Sequence, residues 1–258
     1  MPHPQRPRVA IACQGGGSHT AFTAGVLKAF LRALRGREGD LGCDVDVVAL
    51  SGTSGGAIFA LLAWDGLLRG EPKRGVEKLE AFWQDNEAGD PLSALLNLSV
   101  RFAVQVGAFL ALPVVTPYAL PPWGQRRVRA MLERRVNFAA LRAAARHPGA
   151  PGLLIGAVEV RSGWFEVFRG PDLCAEAVLA STALPRLFPA VTVPGRGRYW
   201  DGLFSQNPPV RDLVDYRPDE LWVVQINPPT RTEVPTTADA ITDRQNELAG
   251  NLSLEQEL

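Results

Sequence analysis

Ser54 stands in the run Val47-Val48-Ala49-Leu50-Ser51-Gly52-Thr53-Ser54-Gly55-Gly56-Ala57. An apolar strand passes through G-x-S-x-G into a helix. The flanking residues Gly52, Gly55 and Gly56 permit a sharp, strained turn that lifts the serine hydroxyl above a sheet. The helix that follows aims its first amides at the same spot, which favours developing negative charge. Such a turn suits a nucleophile attacking an acyl carbon. The alternative is an ordinary Gly/Ser-rich turn.

Acyl transfer also needs donors for the oxyanion, and backbone amides at a glycine turn can supply them. Gly15-Gly16-Gly17 lies between the first strand and the first helix. Successive strands of a parallel sheet are usually neighbours, so this turn is expected close to Ser54. His19 follows it as a candidate substrate contact. A phosphate-binding loop would need a Lys before its Ser/Thr, and the turn has none. A dinucleotide fingerprint would need glycine where Thr20 stands, and an acid where Leu50 and Ser51 stand.

The base is a problem of supply. The chain has 3 histidines, His3, His19 and His147. Only His147 follows Ser54, and it sits at an Arg-rich helix end before Pro148-Gly149. Asp201, in Arg198-Tyr199-Trp200-Asp201-Gly202-Leu203, meets an abrupt turn after an aromatic pair. Partial burial there would raise its pKa and make it a better base. An Asx-turn aspartate before glycine reads equally well from these residues alone.

The elements that must position these groups follow from periodicity. Val9–Cys13 and Val45–Leu50 read as buried strands, each followed by a helix, Ala21–Leu34 and Ala57–Leu68. This predicts an α/β fold with a mostly parallel sheet and helices on both faces. Residues 71–147 read as helical and less regular, with an apolar stretch at Leu92–Leu112 and a basic helix or helix pair at Gln125–Arg146. Leu153–Val160 and Trp164–Arg169 form a hairpin candidate through Arg161-Ser162-Gly163. A short helix at Leu173–Ser181, a strand at Leu221–Ile226 and a helix at Asp239–Leu258 complete the pattern.

The 258 residues, 46% of them hydrophobic, suit a globular domain with a sizeable core. Lys+Arg and Asp+Glu both number 27, which argues against a dedicated nucleic-acid binder. That balance hides opposed regions. Residues 121–150 carry seven arginines against Glu133 alone, whereas residues 201–258 hold eleven acids against four arginines. An apolar segment, Leu95–Leu112, beside that basic one suits peripheral contact with an anionic membrane surface, or equally a core helix with a solvated partner. Cys13, Cys43 and Cys174 are too few and too widely spaced for a disulfide framework or a zinc site. The N-terminus lacks a signal-peptide pattern, and no apolar run reaches the ~20 residues that span a bilayer. The expected location is cytoplasmic, with peripheral membrane contact, and no metal or organic cofactor is implied.

Taken together, the motifs resemble the patatin-like phospholipase family, in particular its bacterial serine acyl hydrolases. Gly15-Gly16-Gly17, Gly52-Thr53-Ser54-Gly55-Gly56 and Asp201-Gly202 stand in the family's order. Ala180-Ser181-Thr182-Ala183-Leu184-Pro185, Phe188-Pro189 and Asn207-Pro208-Pro209 also resemble family segments. The family loop usually continues with a basic residue and a glycine, here His19 and Thr20. Its Asp-Gly is usually followed by Gly or Ala, here Leu203.

The resemblance implies a three-layer α/β/α fold and a Ser-Asp dyad, with Ser54 as nucleophile and Asp201 as base. It also implies oxyanion donors at Gly15–Gly17 and a lipid carboxylic ester as substrate, cleaved as by a phospholipase A or lysophospholipase. It divides the chain into a flexible N-terminus (1–7), a catalytic domain (8–229) and a C-terminal helical extension (230–258), the last expected to be cut short. Two other readings stay open: a non-catalytic lipid-binding protein on the same fold, and a nucleotide-binding α/β protein.

Overall fold

A computed structural model describes residues 6–34, 44–87, 116–119, 121–185 and 187–258. The apolar stretch expected at 92–112, Cys43 and His3 lie outside the described residues. Strand β1 (Arg8–Cys13) leads through the glycine turn to helix α1 (Thr20–Ala33). Strand β2 (Asp46–Gly52) leads through Ser54 to α2 (Gly55–Leu68), followed by α3 (Pro72–Glu87). Helices α4 (Trp123–Arg135) and α5 (Phe138–Ala145) precede the hairpin β3 (Gly152–Glu159) and β4 (Phe165–Arg169). Then come α6 (Ala175–Ser181), β5 (Val191–Val193), β6 (Gly197–Asp201), β7 (Glu220–Val224) and α7 (Ala238–Glu257).

The strands form one sheet in the order β5-β6-β3-β2-β1-β7, with β4 also pairing β3. β7, β1, β2 and β3 are mutually parallel, while β4, β5 and β6 pair antiparallel. Together with its flanking helices, the sheet makes a three-layer α/β/α arrangement. The two antiparallel strands β5 and β6 were not foreseen, because the sequence signals only a turn after Tyr199-Trp200.

Strand alternation decides which side chain meets which layer. Val9, Ile11 and Cys13 of β1 join the larger core beneath α1, α2, α3 and α6. Ala10 and Ala12 face the other way, with Ala49 and Leu154, towards Leu213 of the 3-10 segment Arg211–Tyr216 and Leu254 of α7. That 3-10 segment packs on β2 and β3 from this side, and α7 packs on the turn Gly202–Phe204. α2 is buried from Gly56 to Gly66 on every side, so it is the central helix of its layer.

The β3 registers decide where the chemistry converges. β2 pairs with Gly152–Ile155, β6 pairs with Ala157–Glu159, and β4 pairs with Leu154–Val158. Because β4 overlaps both partners, it occupies one edge of β3, and β2 and β6 share the other. The end of β2 at Gly52 therefore meets the end of β6 at Asp201 along a single edge. Among the described residues, no helix is long and apolar enough to cross a membrane.

Candidate active site

Ser54 has φ 56° and ψ −129°, a left-handed conformation that a residue with a side chain rarely adopts. Such strain costs on the order of 1–3 kcal/mol and persists only where the surroundings impose it. Here they do. A Cβ added at Gly52 would stand 2.6 Å from Gly56 O, so the strand cannot meet the helix this closely with a larger residue. Gly56 packs against the carbonyls of Cys13 and Gln14 at the end of β1. The elbow is thus pressed between two strand ends, with Ser54 only 8% exposed.

The segment Ser181–Ala183 holds both partners at once. Ser54 N donates to Ser181 Oγ at 3.0 Å, and Asp201 N donates to Ala183 O at 3.0 Å. Thr53 Oγ1 donates to Gln206 O at 2.6 Å, a second tie between elbow and acid loop. A Cβ at Gly202 would lie 2.6 Å from Gly156 O and 2.9 Å from Thr53 Cγ2. Glycine after the acid is therefore a packing requirement of this junction.

Asp201 is completely buried. Its Oδ1 accepts from Leu203 N at 2.8 Å, starting the 3-10 turn Gly202–Phe204. Its Oδ2 is buried and accepts no hydrogen bond from any described residue. The two readings of this aspartate divide between its oxygens: one makes the Asx-type turn, and the other is left for chemistry. Burial pushes the carboxyl up to about 7, opposed by the neighbouring Ser54 side chain and the Leu203 amide. The Ser54 side chain is near enough to act on the carboxyl, although Oδ2 has no partner in good hydrogen-bond geometry.

The glycine turn lies against this pair. A Cβ at Gly15 would stand 2.7 Å from Ser54 Cβ. Gly15 N donates to Asn207 Oδ1 at 2.7 Å, and Asn207 Nδ2 donates back to Gly15 O at 3.1 Å. The Gly15 amide is engaged, which leaves Gly16 and Gly17 as the candidate donors. Gly17 takes φ +58° and has open space where a side chain would be. Thr20 Oγ1 donates to Gly17 O at 2.6 Å and packs on Gly55. The residue standing where the family has glycine thus shapes the turn. His19 is exposed at the start of α1, with no side-chain cap bond.

Gln14, beside the glycine turn, is a buried neighbour that the motifs did not reveal. Its Oε1 accepts from Ile226 N and Asn227 N at 3.0 and 3.1 Å, and its Nε2 donates to Gly250 O of α7 at 3.1 Å. α7 also reaches the acid loop. Ser253 Oγ donates to Ser205 O at 2.6 Å, and Glu257 accepts from Val210 N at 2.9 Å. A cavity of about 750 Å³ lies at the other end of the sheet, among Arg6, Arg8, Asp46, Pro151 and Arg217. It is remote from Ser54, and nothing in its lining matches the elbow's chemistry.

A model of patatin-like phospholipases matches residues 11–214. Comparison with curated proteins gives no match. Among solved structures, the chain is similar to VipD from Legionella pneumophila, with 13% identity and a TM-score of 0.38 over 77% of this chain and 46% of that one. It is also similar to the heterodimeric ExoU–SpcU complex of the type III secretion system of Pseudomonas aeruginosa. There the identity is 18% and the TM-score 0.33, over 99% of this chain and 52% of that one. The chain spans about half the length of those two solved chains. The family match runs from the first strand past the acid loop, well over half of the sequence, and the chain belongs to the patatin-like phospholipase family.

Proposed function

We propose that the chain hydrolyses lipid carboxylic esters through Ser54 and Asp201. The observation that carries this reading is a fully buried carboxyl, with one oxygen unpartnered, beside a serine held at positive φ. Asp201 accepts the Ser54 proton as Oγ attacks the ester carbonyl carbon. The amides of Gly16 and Gly17, with the N-terminus of α2, stabilise the oxyanion. The tetrahedral species collapses, the proton passes to the leaving alkoxide, and an acyl-enzyme remains. Water, activated by the same carboxylate, then releases the fatty acid and restores the serine. A base titrating at about 7 suits proton transfer near neutrality.

The family match supports a lipid ester of the phospholipase A or lysophospholipase type. The test is hydrolysis of a chromogenic medium-chain ester by the wild type, Ser54→Ala and Asp201→Asn. Both variants are expected to lose activity, and full activity in either would remove the dyad. A second reading, lipid binding without catalysis, draws on one observation: Asp201 Oδ2 has no partner in good hydrogen-bond geometry. Failure of a fluorophosphonate to label Ser54, with liposome binding retained, would favour it.

A further inference from the structure

The arginines of residues 121–150 are largely committed inside the molecule. Arg129 pairs with Glu176 at 2.7 Å, and Arg135 donates to Ala81 O at 2.9 Å. Arg142 donates to Leu173 O at 3.0 Å, and Arg146 to Pro171 O at 3.2 Å. A different part of the surface combines apolar and cationic groups without spending them. At the β3–β4 turn, Trp164 is 77% exposed and Phe165 is 56% exposed. Arg161 in the turn and Arg198 on the adjoining strand β6 are exposed as well.

This turn is built to hold its shape. Glu159 Oε2 accepts from Arg161 N at 2.9 Å, Ser162 N at 2.7 Å and Ser162 Oγ at 2.8 Å. Trp164 N donates to Ser162 Oγ at 3.2 Å, and Gly163 takes φ +73°. Val160 N donates to Arg198 O at 2.9 Å, which fixes β6 against the tip. The exposure of Trp164 and Phe165 therefore belongs to an ordered tip. Glu159, the acid at its base, keeps its negative charge under these bonds, and Glu166 beyond it is paired with Arg196 at 2.7 Å, so Arg161 and Arg198 outnumber the one acid left at the tip.

The tip also stands at the site's end of the sheet. β3 runs parallel to β2 and continues four residues past Ile155, the partner of Gly52. That carries it ~13 Å beyond the level of the elbow. From Arg198, β6 reaches Asp201 in three residues, ~10 Å.

We propose that the Arg161–Phe165 tip, with Arg198, docks the protein on an anionic lipid bilayer and so brings Ser54 to its substrate. Tryptophan and phenylalanine settle at the headgroup level, and arginine matches anionic lipid phosphates. The choice of lipid as partner rests on the ester-hydrolase reading. The charge of the tip selects an anionic surface over a neutral one.

The test is cosedimentation with vesicles of phosphatidylcholine, with and without phosphatidylglycerol, run beside hydrolysis of a soluble short-chain ester. The wild type is expected to bind the phosphatidylglycerol vesicles in preference. Trp164→Ser/Phe165→Ser should bind about tenfold more weakly or worse. Arg161→Gln/Arg198→Gln should lose about fivefold per arginine on charged vesicles only. Both variants should hydrolyse the soluble ester at the wild-type rate and keep its Tm. Equal vesicle binding by the variants, equal binding of the wild type to both vesicle types, or self-association through the aromatic pair without vesicle binding would each overturn the docking. Vesicle binding as expected, with no ester hydrolysis, would instead overturn the reaction and leave the docking standing.

Discussion

Asp65 and Asp201 are both withdrawn completely from water, one in the last turn of α2 and the other at the end of β6. Asp65 meets two cations. Arg69 Nε donates to its Oδ1 at 2.7 Å, and Lys78 Nζ donates to its Oδ2 while also reaching Arg135 O at 2.6 Å. Asp201 meets one amide and one hydroxyl-bearing neighbour, and among the described residues no cation pairs with it. Both positions carry the cost of burying a carboxylate. In the helical layer that cost is offset by charge pairing. Beside the elbow it is left largely uncompensated, and it appears as a carboxyl titrating at about 7. A buried acid with its charges matched secures the packing of α2 against α3, whereas one left unmatched can take a proton from a neighbour.

The largest contrast between the two should come from Asp201→Asn, with ester hydrolysis falling about 10⁴-fold. Its stability should move the other way. Between the ordinary carboxyl range and about pH 7, folded Asp201 holds a proton that the unfolded chain has released, so its contribution to stability falls as pH rises through that window. At pH 8 a neutral amide avoids that penalty, and the Tm of Asp201→Asn should be at or above wild type by calorimetry. A clear drop in Tm would mean that Asp201 is a structural carboxylate after all.

Asp65→Ala should do the reverse. It strands Lys78 and Arg69 without their partner, at a cost of about 3–5 kcal/mol by urea unfolding. Turnover per folded molecule should stay at the wild-type level. A smaller effect is expected at Asn207, which engages the Gly15 backbone from both sides. Asn207→Ala should lower kcat about 10- to 100-fold with KM little changed, because the turn that presents Gly16 and Gly17 loses its anchor. Asn207→Asp, which can still accept from Gly15 N, should recover part of that loss. The smallest effect should be at Glu257, whose carboxylate accepts from Gln206 Nε2, Val210 N and Arg211 N. Glu257→Gln should cost about 1–2 kcal/mol of stability with the active site intact.

The parts of this site that were legible in the sequence are those that need a particular residue locally. Gly52 and Gly56 must be glycine because strand and helix backbones meet there, and such a need is visible in a short window. The parallel β1-β2 pair and its two helices were legible for the same reason. The segments holding Ser181 and Asn207 stand out as family-like, but what these side chains do was not legible, because they act across long separations. Asn207 meets Gly15 from 192 residues away, and Ser181 meets Ser54 from 127 residues away. A side chain that serves a distant backbone leaves no local period. α7 was readable as a helix, but its place was not. Its buried side chains include Glu247, Asn251, Ser253 and Glu257 beside Leu254, too polar a set to show as an apolar stripe.

The most direct measurement is the rate at which a fluorophosphonate labels Ser54 as a function of pH, in the wild type and in Asp201→Asn. If buried Asp201 takes the Ser54 proton, wild-type labelling rises with pH through a midpoint near 7. The variant then labels slowly at every pH. A wild-type rate that shows no such step, or a variant that labels as fast as the wild type, would contradict Asp201 as the base.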